Sequence, residues 1–299
     1  EDLAERMAAG GMRFSSANSI NIGRLVPQIV YYFYAYGQMV KAGEVRPGGY
    51  INVCVPTGNF GNILAAFYAK KMGLPIENLL CASNENKVLV DFFQTGVYDR
   101  NRAFILTSSP SMDILISSNL ERLVYEITDQ NPDETNAFMK ELAETGTYKI
   151  TPEMRAKLKE YGFYGDYASE AMTSDEIRKV YEDTGYVLDP HTAVASNVYR
   201  RYLGQIEDQE KTVIASTASP YKFARSVVTS IRPQLAEQDG GALSDDALID
   251  MLADLSGVAM PRAIREIRNA PILHDTVVDV PDMKKEVMRW LGIGHDSVS

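Results

Sequence analysis

Apolar positions along this chain fall into runs of two kinds. Tyr50–Val55, Leu79–Ala82, "RAFIL" at Arg102–Leu106 and "KTVIAS" from Lys211 are short and largely apolar, which predicts strands. Between them lie longer segments whose apolar residues recur at helical spacing. Leu3–Ala9 is closed by Gly10-Gly11, and a long helix is predicted over Ile22–Val40, with Pro27 in its first turns and Gly43 as its stop. Asn62–Met72 follows, with Gly73 where a left-handed C-cap belongs. Val88–Thr95 reads as a brief helix or turn, Ile114–Thr128 as a helix, and the acidic stretch Asp129–Glu144 as holding more helix. A strand at Tyr148–Ile150 leads into a helix capped by Thr151 with Pro152 at its first position; "TSDEIRKVYEDTG" repeats that capping logic at Thr173 or Ser174. "HTAVASNVYRRYL" and "YKFARSVVTSI" complete the alternation, which predicts an α/β fold, a parallel sheet flanked by helices. After Pro233 the pattern is helical, a C-terminal extension with loops at Asp239–Gly241 and Pro271–Pro281.

Composition narrows the function classes. The 299 residues suffice for a substantial core, and a net charge of −10 with no long basic run argues against nucleic acid as a partner. No stretch of 18 apolar residues occurs, so no membrane span is expected. Cys54 and Cys81 sit in strand-like runs and read as reduced, buried thiols of a cytoplasmic protein. The three histidines are scattered and no Cys/His ligand spacing exists, so no metal site is expected.

One loop carries candidate chemistry. "VCVPTGNFGN" ends a strand in Gly-Asn-Phe-Gly-Asn and resumes as a helix. Such a junction offers an anion free backbone N–H groups and the positive end of a helix dipole. Gly58 and Gly61 let the backbone curve, while Asn59 and Asn62 can add side-chain amides or tolerate a positive φ. The spacing fits neither GxGxxG nor the phosphate loop ending in GK[ST], so a single terminal phosphate suits it better than a nucleoside triphosphate. The plainer alternative is a tight turn whose glycines serve geometry alone.

Two further clusters point the same way. "SSANSINIGR" sets Ser16, Asn18, Ser19 and Asn21 ahead of Arg24 at the mouth of the long helix, amides and hydroxyls with one guanidinium that suit a phosphate or carboxylate. N-capping by Ser19 or Asn21, with a solvated Arg24, is the simpler reading. "IASTASPYKF" ends a strand in Ser216, Thr217 and Ser219, where ligands of open α/β sheets bind.

Together these segments resemble the threonine synthase family of pyridoxal-phosphate (PLP) enzymes, whose fold is type II, that of the tryptophan synthase β chain. "SANSINIGRLVPQIVYYFYAY", "VPTGNFGNILAAFYAKKMGLPI", "SPSMDILISSNLERL", "DPHTAVA" and "STASPYKF" carry the likeness from residue 15 to about residue 228, in the family's order. The resemblance implies conversion of O-phospho-L-homoserine and water to L-threonine and phosphate. It implies that Gly58, Asn59, Phe60, Gly61 and Asn62 cradle the PLP phosphate and that Thr217 sits beside the pyridine nitrogen. Asn18 and Arg24 would bind the substrate's phosphate. His191 in "DPHTAVA" reads as a buried structural histidine, and Ser111 and Asp113 as residues that order a loop.

The family's Schiff-base lysine lies in a Phe-Lys-Asp context ahead of the "SANSIN" segment, and neither that motif nor the Ser-Gly-Asp-Thr-Gly substrate loop occurs here. No catalytic residue is therefore assigned; the lysine is expected upstream of Glu1, and the chain alone is expected to be inactive. Lys222 belongs to another family motif, and Lys70 and Lys71 read as solvated helix faces. The expected organisation is a junction with an absent N-terminal domain over 1–44, a PLP-phosphate-binding α/β domain over 45–235 and the helical extension over 236–299. An open apolar cleft of that kind invites self-association. The alternatives are a related phospholyase acting on another amino-acid phosphate ester and a non-catalytic PLP-binding homologue. A nucleotide-binding module ranks last.

Overall fold

The computed structural model describes residues 2–235 and 243–293. The chain divides into two compact units, Ser19–Met260 in one and Glu1–Asn18 with Pro261–Ser299 in the other. The second of these contains helix α1 (Asp2–Ala9), short helices at Arg262–Ile267 and Met283–Trp290, and a 3-10 turn at Val280–Asp282.

The larger unit opens with α2 (Ile22–Lys41), whose N-cap is Asn21: its Oδ1 accepts the Gly23 N–H at 2.8 Å. Then come β1 (Ile51–Pro56), α3 (Gly61–Lys71), β2 (Ile76–Ser83), α4 (Val88–Thr95) and β3 (Val97–Asp99). They are followed by α5 (Leu120–Ile127), α6 (Pro132–Thr145), β4 (Thr147–Lys149), α7 (Pro152–Glu160) and β5 (Phe163–Tyr167). The series ends with α8 (Glu170–Thr184), α9 (Pro190–Gln205), β6 (Lys211–Ile214), α10 (Ala224–Ile231) and a helix at Asp245–Ser256.

Strands β5, β2, β1 and β6 form, in that order, a wholly parallel sheet, and β3 and β4 make a separate antiparallel pair. Every residue of β1 is buried, as a central parallel strand requires when helices cover both faces. Alternation then sorts its side chains. Ile51, Val53 and Val55 join Ile63, Leu64 and Phe67 of α3 in the main core. Cys54 faces the other way, into a smaller cluster with Val194, Ala195 and Val198 of α9, and its Sγ donates to the Ala195 carbonyl at 3.3 Å. The chain runs outward from β1 through β2 to β5, then returns to place β6 on the far side of β1. Ligands of open α/β sheets bind where strand order reverses in this way.

Several local expectations are corrected. Arg102–Leu106 forms no strand, and the helix expected over Ile114–Thr128 covers only Leu120–Ile127, because Ser109–Ser118 is used as a loop. Helix α8 starts at Glu170 under a Ser169 cap, so Thr173 lies inside it and back-bonds to the Ser169 carbonyl at 2.8 Å. Edge strand β5, "FYGDY", has no long apolar run to announce it. Lys70 is half-buried, not solvated: its Nζ donates to the carbonyls of Glu77 and Tyr161 at 2.8 and 3.0 Å, and burial lowers its pKa. Lys71 pairs with Glu126. The loop expected at Asp239–Gly241 lies outside the described residues. Among those residues no helix is long and apolar enough to cross a membrane, and no three His, Cys, Asp or Glu side chains gather as a metal site would need.

Candidate functional site

At the carboxyl ends of β1 and β6 lies a cleft of about 570 Å³. Its wall includes Gly58, Asn59, Phe60, Gly61 and Asn62 from the β1–α3 loop, Arg24 from α2, and Thr217 and Lys222 from the segment after β6. Ser111 and His191 complete it. The cleft thus draws on all three clusters that the sequence singled out, through Gly58–Asn62, Ser19 with Arg24, and Thr217; Ser16 and Asn18 lie in the other unit.

The β1–α3 loop is held from behind. Ser117 Oγ donates to the Gly58 carbonyl at 2.8 Å. Asn119, fully buried, gives the Asn59 carbonyl two bonds, from its backbone N–H at 3.1 Å and its Nδ2 at 2.8 Å, and reaches the Ser19 carbonyl at 3.1 Å. With these carbonyls turned away, the backbone N–H groups of Gly58 to Asn62 have no hydrogen-bond partner among the described residues. Five such donors at the first turn of α3 form an anion cradle.

The loop's backbone is unusual in two places. Phe60, not an asparagine, takes the left-handed conformation, with φ 64°. Its buried ring packs on Phe93 and Phe163 at centroid distances of 6.1 and 5.9 Å, which holds it in place. At Gly58 an added Cβ would lie 2.5 Å from the Ser111 carbonyl oxygen. At Gly61 the nearest neighbour would be Asn119 Nδ2 at 3.4 Å. The Asn62 side chain does not turn toward the cleft: its Oδ1 accepts from the Tyr32 hydroxyl and its Nδ2 donates to Gln28 Oε1 at 3.1 Å. These are bonds to α2, so Asn62 offers the cradle its N–H alone.

No carboxylate lines the cleft among the described residues, although the whole chain carries a net charge of −10. Arg24 and Lys222 supply cationic groups instead. His191 is buried and fixed: its Nε2 accepts the Ser111 N–H at 3.3 Å, so its Nδ1 holds the proton and faces Asp189 Oδ1 at 3.1 Å. Asp113, as expected, orders the adjoining loop, accepting at one carboxylate from Asn84, Asn86 and Thr107. Ser117, Asn119, Asp189 and Thr192 were not found from the sequence as supports of the site. Asn119 meets Asn59 across 60 positions, a contact no local pattern reveals.

The chain is similar to known proteins over most of its length. Residues 192–278 match the family model described as "Threonine synthase, C-terminal". The relatives it matches include threonine synthases and threonine synthase-like proteins. It is 39% identical over 237 residues to threonine synthase of Schizosaccharomyces pombe, covering 71% of this chain and 45% of that protein. It is 44% identical over 226 residues to human threonine synthase-like 1, covering 74% of this chain. The yeast threonine synthase crystal structure aligns with TM-score 0.73 and 30% identity over 90% of this chain. PLP-bound threonine synthase of Brucella melitensis aligns with TM-score 0.69 and 34% identity. The architecture is accordingly PLP fold type II, as the resemblance implied. The chain spans 30% of the length of human threonine synthase-like 1 and 45% of the S. pombe synthase.

Proposed function

We propose that the cleft is the phosphate-binding half of a PLP site and that this chain serves the conversion of O-phospho-L-homoserine and water to L-threonine and phosphate. The five unpartnered N–H groups of Gly58 to Asn62 carry the reading. They belong to residues that line a cleft without carboxylates, and the missing side chain at Gly58 lets the loop pack directly against the Ser111 backbone, which holds the cradle in place. PLP, when bound, supplies an electron sink for proton removal next to the substrate's amino group. Thr217, at the cleft's other wall, offers the pyridine nitrogen a hydroxyl, which leaves that nitrogen largely unprotonated. Arg24 offers a guanidinium to the substrate's phosphate and so favours its departure. The lysine that anchors the cofactor covalently is assigned to no residue of this chain, and the isolated chain is proposed to be inactive. The location is proposed to be cytoplasmic.

The test is PLP titration of this chain, borohydride reduction and mass mapping of lysines. Saturable binding with absent or scattered labelling supports the reading. Labelling confined to Lys222, which lines the cleft, would make that residue the anchor and overturn the last assignment. Absence of saturable binding would overturn the site itself.

A further inference from the structure

Asp189 sits at the N-terminus of α9, buried, and is not itself among the cleft-lining residues. Its Oδ1 accepts the backbone N–H of His191 at 2.9 Å and that of Thr192 at 3.3 Å, the bonds of an ordinary cap. The carboxylate does more than cap. Oδ1 also takes the His191 Nδ1 proton at 3.1 Å, and Oδ2 takes the Thr192 hydroxyl proton. From there two lines of contact diverge. His191 Nε2 receives the Ser111 N–H at 3.3 Å, and the Ser111 carbonyl stands where a Gly58 side chain would begin. Thr192 Oγ1 lies 3.2 Å from Ser216 Oγ, the residue before Thr217. The Thr192 hydroxyl has one proton, and both Asp189 Oδ2 and Ser216 Oγ lie within reach as its acceptors.

We propose that Asp189, His191 and Thr192 form a positioning brace between the two walls of the cleft. The β1 and β6 loops leave the sheet separately, and no other carboxylate in the structure is joined by hydrogen bonds toward both among the described residues. The His191 arm sets the phosphate cradle through Ser111. The Thr192 arm sets Thr217 through Ser216. Asp189 and Thr192 stand behind the cleft wall and His191 forms part of it; each arm fixes one end of the seat, so the distance between phosphate and ring-nitrogen contacts is set by a single buried group. This inference rests on the PLP reading above.

Because the two arms serve different ends of the ligand, they separate experimentally. The probes are pyridoxamine 5′-phosphate, whose fluorescence reports binding without a lysine bond, and inorganic phosphate as its competitor. Thr192→Val should shift the emission of the bound probe and weaken its binding several-fold, while competition by inorganic phosphate stays at the wild-type level. Thr192→Ser, which keeps the hydroxyl, should behave as wild type. His191→Leu strands the Ser111 N–H and should weaken both probes about tenfold. His191→Gln, whose carbonyl can accept that N–H, should recover most of the loss. Melting curves of all four variants exclude unfolding as the cause. If Thr192→Val matches Thr192→Ser, or if His191→Leu binds inorganic phosphate as wild type does, the brace is overturned while the PLP reading stands. A wild-type chain that binds neither probe overturns both.

Discussion

The Cβ that Gly58 lacks would stand 2.5 Å from the carbonyl oxygen of Ser111, closer than side-chain carbons come to oxygen. The β1–α3 loop and the Ser111 loop are therefore in backbone contact, and only glycine permits it. Gly58→Ala should push the two loops apart, with a stability cost of about 1–3 kcal/mol and a loss of PLP affinity. Gly61→Ala, whose Cβ would meet Asn119 Nδ2 at an ordinary 3.4 Å, should leave both nearly unchanged. Thermal melts and a PLP titration of the two variants decide the order; equal effects would refute it.

Phe60 sets two effects against each other. Its left-handed backbone costs about 1–2 kcal/mol, which Phe60→Gly would relieve. Its buried ring, packed on Phe93 and Phe163, is worth about 3–5 kcal/mol when deleted. The ring should win, so Phe60→Gly is expected to melt lower than wild type. A higher melting temperature would show that strain dominates.

Asn119→Ala removes the Nδ2 bonds to the Asn59 and Ser19 carbonyls from a fully buried position. The expected cost is about 1–3 kcal/mol, with weaker phosphate binding because the cradle loses a rear support. Denaturant unfolding and phosphate titration measure the two separately.

In an active enzyme containing these residues, Arg24→Ala should lower kcat/KM about tenfold or more, as loss of a charged hydrogen bond to the substrate's phosphate implies. Thr217→Ala should shift the cofactor's absorption spectrum instead. Unchanged kinetics in the first case, or an unshifted spectrum in the second, would remove that residue from its proposed role.

Both thiols are sealed in the core, and burial pushes Cys81 up from 9.0 to about 12 and Cys54 higher still. At pH 8 neither should react with an alkylating reagent until the chain unfolds. The folded state holds the Cys81 proton more tightly than the unfolded chain does. Its contribution to stability is thus full below pH 9.0 and is lost as pH rises toward about 12. Labelling kinetics with and without denaturant, and melts across that range, test both statements.

The parallel α/β architecture was legible because its signals are local. Tyr50–Val55 reads as a strand because a doubly covered parallel strand is apolar at nearly every position, Asn52 being the exception here, and Ile51–Pro56 is buried at every position. Gly73, Thr151 and Pro152 fulfil their predicted capping roles because caps depend on a few adjacent residues. The GNFGN loop could likewise be picked out as a strand-to-helix turn. What tertiary structure alone decided is which way its groups point. The carbonyls of Gly58 and Asn59 face Ser117 and Asn119, and the Asn62 amide faces Tyr32 and Gln28. These partners are 30 to 60 positions distant in sequence, and an asparagine reads the same in a chain whether its amide meets a ligand or a helix. The same reason hid Asp189, which as a sequence is an ordinary helix cap. Only the return of the chain to set β6 beside β1 makes it a link between two walls of one cleft.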